Sequence, residues 1–260
     1  MIELCALASG SNGNAYYIGN SSDAVLVDAG LSAKQLLARF ETMRLDLNKV
    51  RAIFISHEHS DHARGVQTLS KRFNIPVYMN SRTFYALPKP MRPEYVRFFQ
   101  PGDIVTAGNF TIHTFTKNHD AADPCSFRVE HGGFSTGILT DIGEPCKEVV
   151  KAVQESHALF LESNYDHAML WKGPYPWYLK NRVSSDKGHL SNEQAAKLVD
   201  EFGHPELQVI FLSHISKENN RPELAMEAFE SLKRSFNLFL TSRSDASEVF
   251  RVSIPSQQAV

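Results

Sequence analysis

The sequence predicts an α/β (α+β) protein in which sheets pack face to face with helices outside them, in one domain spanning residues 1–260. Three observations carry this. Most strand-length apolar runs come in hairpin-like series, and helical stretches fall between and after them. No linker, repeat or low-complexity segment divides the chain, and 42% hydrophobic residues can bury a large core.

Residues 2–8 form the first expected strand, with 15–18 and 24–28 continuing as strands. Between the first two lies Ser9-Gly10-Ser11-Asn12-Gly13-Asn14. It fits neither GxGxxG nor the Walker pattern, and a strand follows where those motifs need a helix, so it reads as a tight hairpin. Asp28-Ala29-Gly30 ends a strand, and Ser32 can cap a helix whose apolar face carries Leu36, Leu37 and Phe40.

The organising stretch comes next. Ile53-Phe54-Ile55 reads as a buried strand, and Ser56-His57-Glu58-His59-Ser60-Asp61-His62 as the loop at its end. Residues two apart on a helix sit about 200° apart around its axis, so His57 and His59 could not share a helical face. A looping backbone lets positions 57, 59 and 61 converge, and imidazole with carboxylate suits zinc, iron or manganese. Chance produces H-x-H-x-D-H in about one chain of this length in a thousand. Four polar groups directly after an apolar strand also offer nothing to a packed core.

Beyond the motif, 65–73 reads as a helix and 76–79 as a short strand, and 80–97 is rich in proline and aromatics. Strands recur at about 95–99, 104–106, 110–115, 125–131 and 134–140, with Gly132-Gly133 turning the last pair. Then follow a helix (144–154), a strand (158–161), a helical aromatic-rich stretch (165–181), a helix (191–202) capped by Ser191, and a strand (208–212). A helix at about 222–234 and two short strands close the chain.

Net charge is −2, so no global positive field draws in nucleic acid or anionic membrane. Neither a transmembrane helix nor a signal peptide is expected. Cys5, Cys125 and Cys146 are odd in number and scattered, as reduced thiols are, so the cytoplasm is the expected compartment.

Three more polar residues follow apolar strands: His119, Asp141 and His214. With the first cluster they make a seven-donor set. The order H-x-H-x-D-H, His, Asp, His resembles the metallo-β-lactamase superfamily over nearly the whole chain. That resemblance implies a four-layer αββα sandwich with two divalent metal ions (Zn, Mn or Fe) at the mouth between the sheets. It implies that His57, His59 and His119 hold one ion and Asp61, His62 and His214 the other, with Asp141 bridging both. True β-lactamases usually lack a histidine at the place of His62, which disfavours antibiotic hydrolysis.

The interval from Asp141 to His214 is too short for the inserted domain of the β-CASP branch. It holds the strings from Leu159 to Asp166, Gly188 to Asn192 and Leu212 to Asn220. With the opening Ala8–Asn14, these resemble the YycJ (WalJ) family of DNA exonucleases, which act from the 5′ end. The same positions are similar, more distantly, to tRNase Z, where a Glu orients a His ahead of the last metal-binding His. That similarity implies that Glu162 orients His189, and a tRNase Z-like RNA nuclease is one alternative function. No long arm for gripping tRNA is evident.

A phosphodiester is attacked in line, and two metals about 3.5–4 Å apart can share a hydroxide and neutralise the phosphoryl oxygens. Asp61, His189 and Glu162 are the expected catalytic residues. A protonated His189, held by Glu162, would give the departing sugar oxygen its proton. The competing structural role for His189 is a helix-start residue ahead of the Ser191 cap. Lys187, Arg182, Asn219 and Asn220 are the expected substrate-binding residues, with DNA favoured over RNA and no membrane partner. Residues 64–97 carry seven basic side chains against Glu94 alone, as a solvated basic face would. Lys172, Lys180, Arg182 and Lys187 flank Trp171, Tyr175, Trp177 and Tyr178, which suits phosphate contact with base stacking as well as it suits an aromatic mini-core. The metal motif is also that of thioester hydrolases of the glyoxalase II kind, which have no place for Glu162 or His189, and the same fold could serve as a non-catalytic scaffold.

Overall fold

In a computed structural model of the chain, which describes residues 1–230, 232 and 236–253, the strands form two seven-stranded mixed sheets. The first contains β1 (Ile2–Ala8), β2 (Ala15–Gly19), β3 (Ala24–Val27), β4 (Val50–Phe54), β5 (Val77–Met79) and β6 (Val96–Phe98) in spatial order. The second runs β7 (Ile104–Ala107), β8 (Phe110–Thr116), β9 (Cys125–His131), β10 (Phe134–Leu139), β11 (Ala158–Glu162), β12 (Val209–Ser213) and β13 (Asn237–Leu240). The last strand, β14 (Phe250–Val252), returns to pair with β1.

The expected hairpins are the antiparallel half of each sheet, β1–β3 and β7–β10. The other half is parallel, which the hairpin pattern did not foretell. Parallel neighbours need crossovers, and helices supply them: α1 (Ala33–Thr42) from β3 to β4, then α2 (Ser60–Ala63) and α3 (Val66–Phe73) from β4 to β5, and α4 (Ser81–Ala86) from β5 to β6. In the second sheet α5 (Lys147–Gln154) joins β10 to β11, α6 (His167–Lys172), α7 (Trp177–Val183) and α8 (Asn192–Phe202) join β11 to β12, and α9 (Pro222–Glu230) precedes β13.

The inner faces of the two sheets share one core. Phe54 meets Phe127 edge-on at 5.7 Å across the interface, and Phe160 lies 5.0 Å from Tyr16 and stacks on Phe211 at 4.6 Å. Each such fully buried aromatic contributes about 1.5–3 kcal/mol over an exposed one. Leu36 and Phe40 of α1 and Val66 and Leu69 of α3 cover the outer face of the first sheet, and α5, α8 and α9 that of the second. The layers are therefore helix, sheet, sheet, helix, as the sequence led us to expect. Capping boxes start two of the covering helices, Ser32 with Gln35 and Ser191 with Gln194, each satisfying two otherwise orphaned backbone donors.

Several elements differ in detail. The turn after β1 is a six-residue loop closed by Gly13 N–H donating to the Gly10 carbonyl, wider than a tight hairpin. The histidine stretch is only partly a loop, because Asp61 and His62 lie on the single turn α2. The helical stretch at 165–181 is two helices parted at Gly173-Pro174, where proline cannot continue the backbone bonding. The region 80–97 contains α4, capped by Asn80, whose side chain accepts from Thr83 N–H. The last expected helix is observed to Glu230; its remaining residues 231, 233 and 234 lie outside the described residues. Among the described residues no helix is long and apolar enough to cross a membrane.

The carboxyl ends of β3, β4, β10, β11 and β12 meet at one rim, where loops of parallel sheets ordinarily carry ligands. Asp28, Asp141 and His214 follow three of these strands with φ of 62°, 55° and 54°. Left-handed backbone is uncommon outside glycine, and here it turns each chain sharply off its sheet as a polar side chain enters the rim.

Candidate metal centre

Four chain segments bring their donors to this rim. His57 and His59 come from the β4 loop, Asp61 and His62 from α2, His119 from the loop after β8, and Asp141 and His214 from the turns after β10 and β12. One ligand atom from each of His57, His59 and His119 falls within 4.8 Å of the others, and so do those of Asp61, His62 and His214. Asp141 lies between the two groups. Its Oδ2 is 3.1 Å from His62 Nε2, and its Oδ1 is 3.3 Å from His214 Nδ1 and 3.8 Å from His119 Nε2. All seven expected donors are thus in one cluster.

The histidines are oriented from behind. His62 Nδ1 faces Asp28 Oδ2 at 2.7 Å, His57 Nδ1 faces Ser56 Oγ at 2.9 Å, and His119 Nδ1 faces the Gly188 carbonyl at 3.3 Å. Each is thereby left with Nε2 toward the centre, the arrangement by which outer partners fix the tautomer of metal-binding imidazoles. Nε2 of His119 and of His214 are buried with no hydrogen-bond partner among the described residues, which a protein interior rarely tolerates unless a cation supplies one.

Charge supports the same reading. Burial holds His57 and His119 well below the ordinary imidazole range, hence neutral as ligands must be. Burial would raise Asp141, but His214, His62 and Lys117 outweigh it and keep the carboxylate ionised. Burial would depress His62, yet Asp141, Asp28 and Asp61 together raise it well above its usual value. The field that draws a proton to His62 is one that attracts a metal cation. The donor set, imidazoles with carboxylates, suits a divalent metal.

Glu162 stands beside the cluster, fully buried. Its Oε1 is 2.8 Å from His189 Nδ1, and its Oε2 accepts from the backbone N–H of Ile142 and Leu190. His189 lines a pocket of about 290 Å³ together with His59, Asp61, His119, Asp141 and His214. Burial would lower His189, but Glu162 and Asp141 raise it, so the ring carries a proton readily.

The four expected substrate contacts divide. Asn219 and Arg182 line the pocket, and Arg182 is held there by Asp120 at 2.6 Å. Lys187 is exposed and does not line it. Asn220 needs correction: it is buried, accepting from Asn192 and donating to the carbonyls of Ser163 and Asn164, so it ties loops together and has no donor left for substrate. Asp28, Ser56 and Asn14 were absent from the expected site, although Asp28 was visible as a polar residue ending a strand. Asn14 Nδ2 is 3.0 Å from His62 Nε2, and its backbone N–H donates to the Asp61 carbonyl.

A family model for the β-lactamase superfamily domain matches residues 23–215. The exodeoxyribonuclease YycJ of Bacillus anthracis is 36% identical over 229 residues, 86% of each chain. The exodeoxyribonuclease WalJ of Streptococcus pneumoniae serotype 2 is 36% identical over 224 residues, 84% of this chain and 83% of its own. Among solved structures, the metallo-β-lactamase fold protein YhfI from Bacillus subtilis superposes with a TM-score of 0.72 at 17% identity, over 95% of this chain and 100% of that one, which shows the shared fold.

Proposed function

We infer that this chain, which belongs to the β-lactamase superfamily and within it to the YycJ/WalJ family of exodeoxyribonucleases, hydrolyses phosphodiester bonds at the ends of DNA, in preference to RNA. The observation that carries this reading is the convergence of His57, His59, Asp61, His62, His119, Asp141 and His214 on one rim, with the Glu162–His189 pair beside them.

The donor set would divide as the sequence resemblance implies. His57, His59 and His119 would hold one divalent ion, Asp61, His62 and His214 a second, and Asp141 would reach both. When bound, such ions neutralise phosphoryl oxygens and activate the attacking water. The protein's own part is positioning and proton transfer. Glu162 holds Nδ1 of His189, which leaves Nε2 to face the pocket, and the raised affinity of His189 for a proton keeps one there. From that position His189 protonates the departing sugar oxygen, a step worth about 10²–10⁴ in rate. The three free thiols agree with action in the cytoplasm.

The test is digestion of end-labelled duplex and single-stranded DNA in the presence of manganese or zinc, with 5′-label expected to be released first. Asp61→Ala with His62→Ala should abolish digestion and His189→Ala should reduce it strongly. Full activity in the double variant would overturn the two-ion reading.

A further inference from the structure

The loop Ser9–Asn14 does more than connect β1 to β2. Ser11 lines the pocket of the metal centre, and the next residue, Asn12, is reached by two arginines from distant parts of the chain. Arg64 Nη1 donates to the Asn12 carbonyl at 3.4 Å, and Arg243 Nη2 donates to Asn12 Oδ1 at 3.0 Å. Gly10, at φ 135°, makes room for the second: a Cβ there would lie 2.7 Å from Cγ of Arg243, so the arginine stem rests on bare backbone. Arg64 stands two positions after His62, on the first residue beyond α2.

Neither arginine has a carboxylate partner among the described residues, unlike Arg39, Arg51, Arg128, Arg182 and Arg251. Each spends one N–H on Asn12 and keeps the rest of its donor fork. Gathering two uncompensated guanidiniums on one loop costs repulsion that a bridging anion removes. The guanidinium fork matches phosphate oxygens bidentately. An exonuclease must also hold strands of any sequence, which contacts to the sugar–phosphate backbone allow and contacts to bases do not.

We propose that Arg64 and Arg243, seated on Ser11–Asn12, form a phosphate-binding subsite at the lip of the metal pocket, which grips the nucleic-acid backbone beside the bond being cut. The subsite deepens the phosphodiesterase reading and rests on it. It also gives the glycine-rich loop a task, as the seat of the clamp.

The probe is a phosphorothioate single strand, resistant to cleavage, titrated onto metal-loaded protein at a series of salt concentrations. Arg64→Gln with Arg243→Gln keeps the stems and drops the charges. It should weaken binding at low salt and reduce the slope of log K against log salt by about 1.4, at roughly 0.7 per phosphate contact on a single strand. The paired lysine variant should restore the slope, whereas a purely structural role for the arginines would leave the slope unmoved in both. Hydrolysis of bis(p-nitrophenyl) phosphate, which has no neighbouring phosphate, should keep its kcat/KM in the glutamine variant. An unchanged slope, with end-labelled DNA and bis(p-nitrophenyl) phosphate both still hydrolysed, overturns the subsite and leaves the phosphodiesterase standing. A wild-type protein that cleaves neither end-labelled DNA nor bis(p-nitrophenyl) phosphate overturns both. Inorganic phosphate that binds wild type far more tightly than the strand does, and loses that tightness in the glutamine variant, would make the ligand free phosphate and overturn the clamp on the strand.

Discussion

Glu162 is joined to His214 as closely as to His189: its Oε1 lies 2.9 Å from His214 Nδ1 and 2.8 Å from His189 Nδ1. One buried carboxylate oxygen therefore steadies both a proposed metal donor and the proposed proton donor. Burial would raise its pKa, but the two imidazoles hold it below the usual glutamate range.

Glu162→Gln should therefore lose metal as well as activity, each by about 10–100-fold, the usual cost of removing an outer partner of a ligand. His189→Ala should lose activity and keep its metal. Elemental analysis of the two variants after gel filtration separates the cases. Full metal content in Glu162→Gln would mean that its hold on His214 is idle.

Much of this was legible in the sequence because strands and polar strand ends announce themselves locally. The alternation of apolar run and polar group is enough to locate His57, His119, Asp141 and His214. What could not be read was the support behind them. Asp28 meets His62 across 34 positions and Ser56 across 28, pairings that only the parallel placement of β3 beside β4 creates. Asn220 misleads for the converse reason: next to Asn219 in the chain, it points the other way, into a buried amide cluster. Arg243 was invisible as a site residue because nothing in its neighbourhood marks it; the fold carries it to Gly10.

Asp28 offers a clean substitution. Its Oδ1 accepts from Ser56 N–H at 2.8 Å, and its Oδ2 serves both Ser56 Oγ and His62 Nδ1. An asparagine in place of the carboxylate would still tolerate left-handed backbone, yet it exchanges one acceptor oxygen for an amide that cannot accept. Asp28→Asn should cost about 1–3 kcal/mol in stability through one unmade buried bond. It should also weaken metal binding at the His62 side by about 10–100-fold. Urea denaturation and a metal titration read the two effects, and an unchanged affinity would show that His62 needs no orientation from Asp28.

Metal removal should destabilise the fold, because the donors are gathered from segments that an unfolded chain scatters. Free metal at 100 times its Kd adds about 2.7 kcal/mol. For a chain of this size that raises Tm by roughly 5–10 °C, at about 2–4 °C per kcal/mol. A chelator should reverse the gain and added manganese or zinc should restore it. A Tm indifferent to both would argue that the cluster binds no cation.

The cysteines give a pH-dependent outcome away from the metal centre. Burial pushes the Cys5 thiol up to about 11, against the opposing hydrogen bond to Ser247, and Cys125 to about 12. The folded state thus keeps Cys5 protonated where the unfolded chain, with an ordinary thiol pKa, would release the proton. A raised folded pKa gives stability that is complete below the unfolded value and is lost as pH climbs through the folded one. Stability should therefore be insensitive to Cys5 at neutral pH and decline between about pH 8.5 and pH 11. Alkylation shows the same thing directly. At about pH 9, just above the ordinary thiol pKa, iodoacetamide should modify half-buried Cys146 in the native protein and spare Cys5 and Cys125, whereas in urea all three should react. Mass spectrometry counts the additions, and rapid native labelling at Cys5 would mean that the packing around β1 opens where this structure keeps it shut.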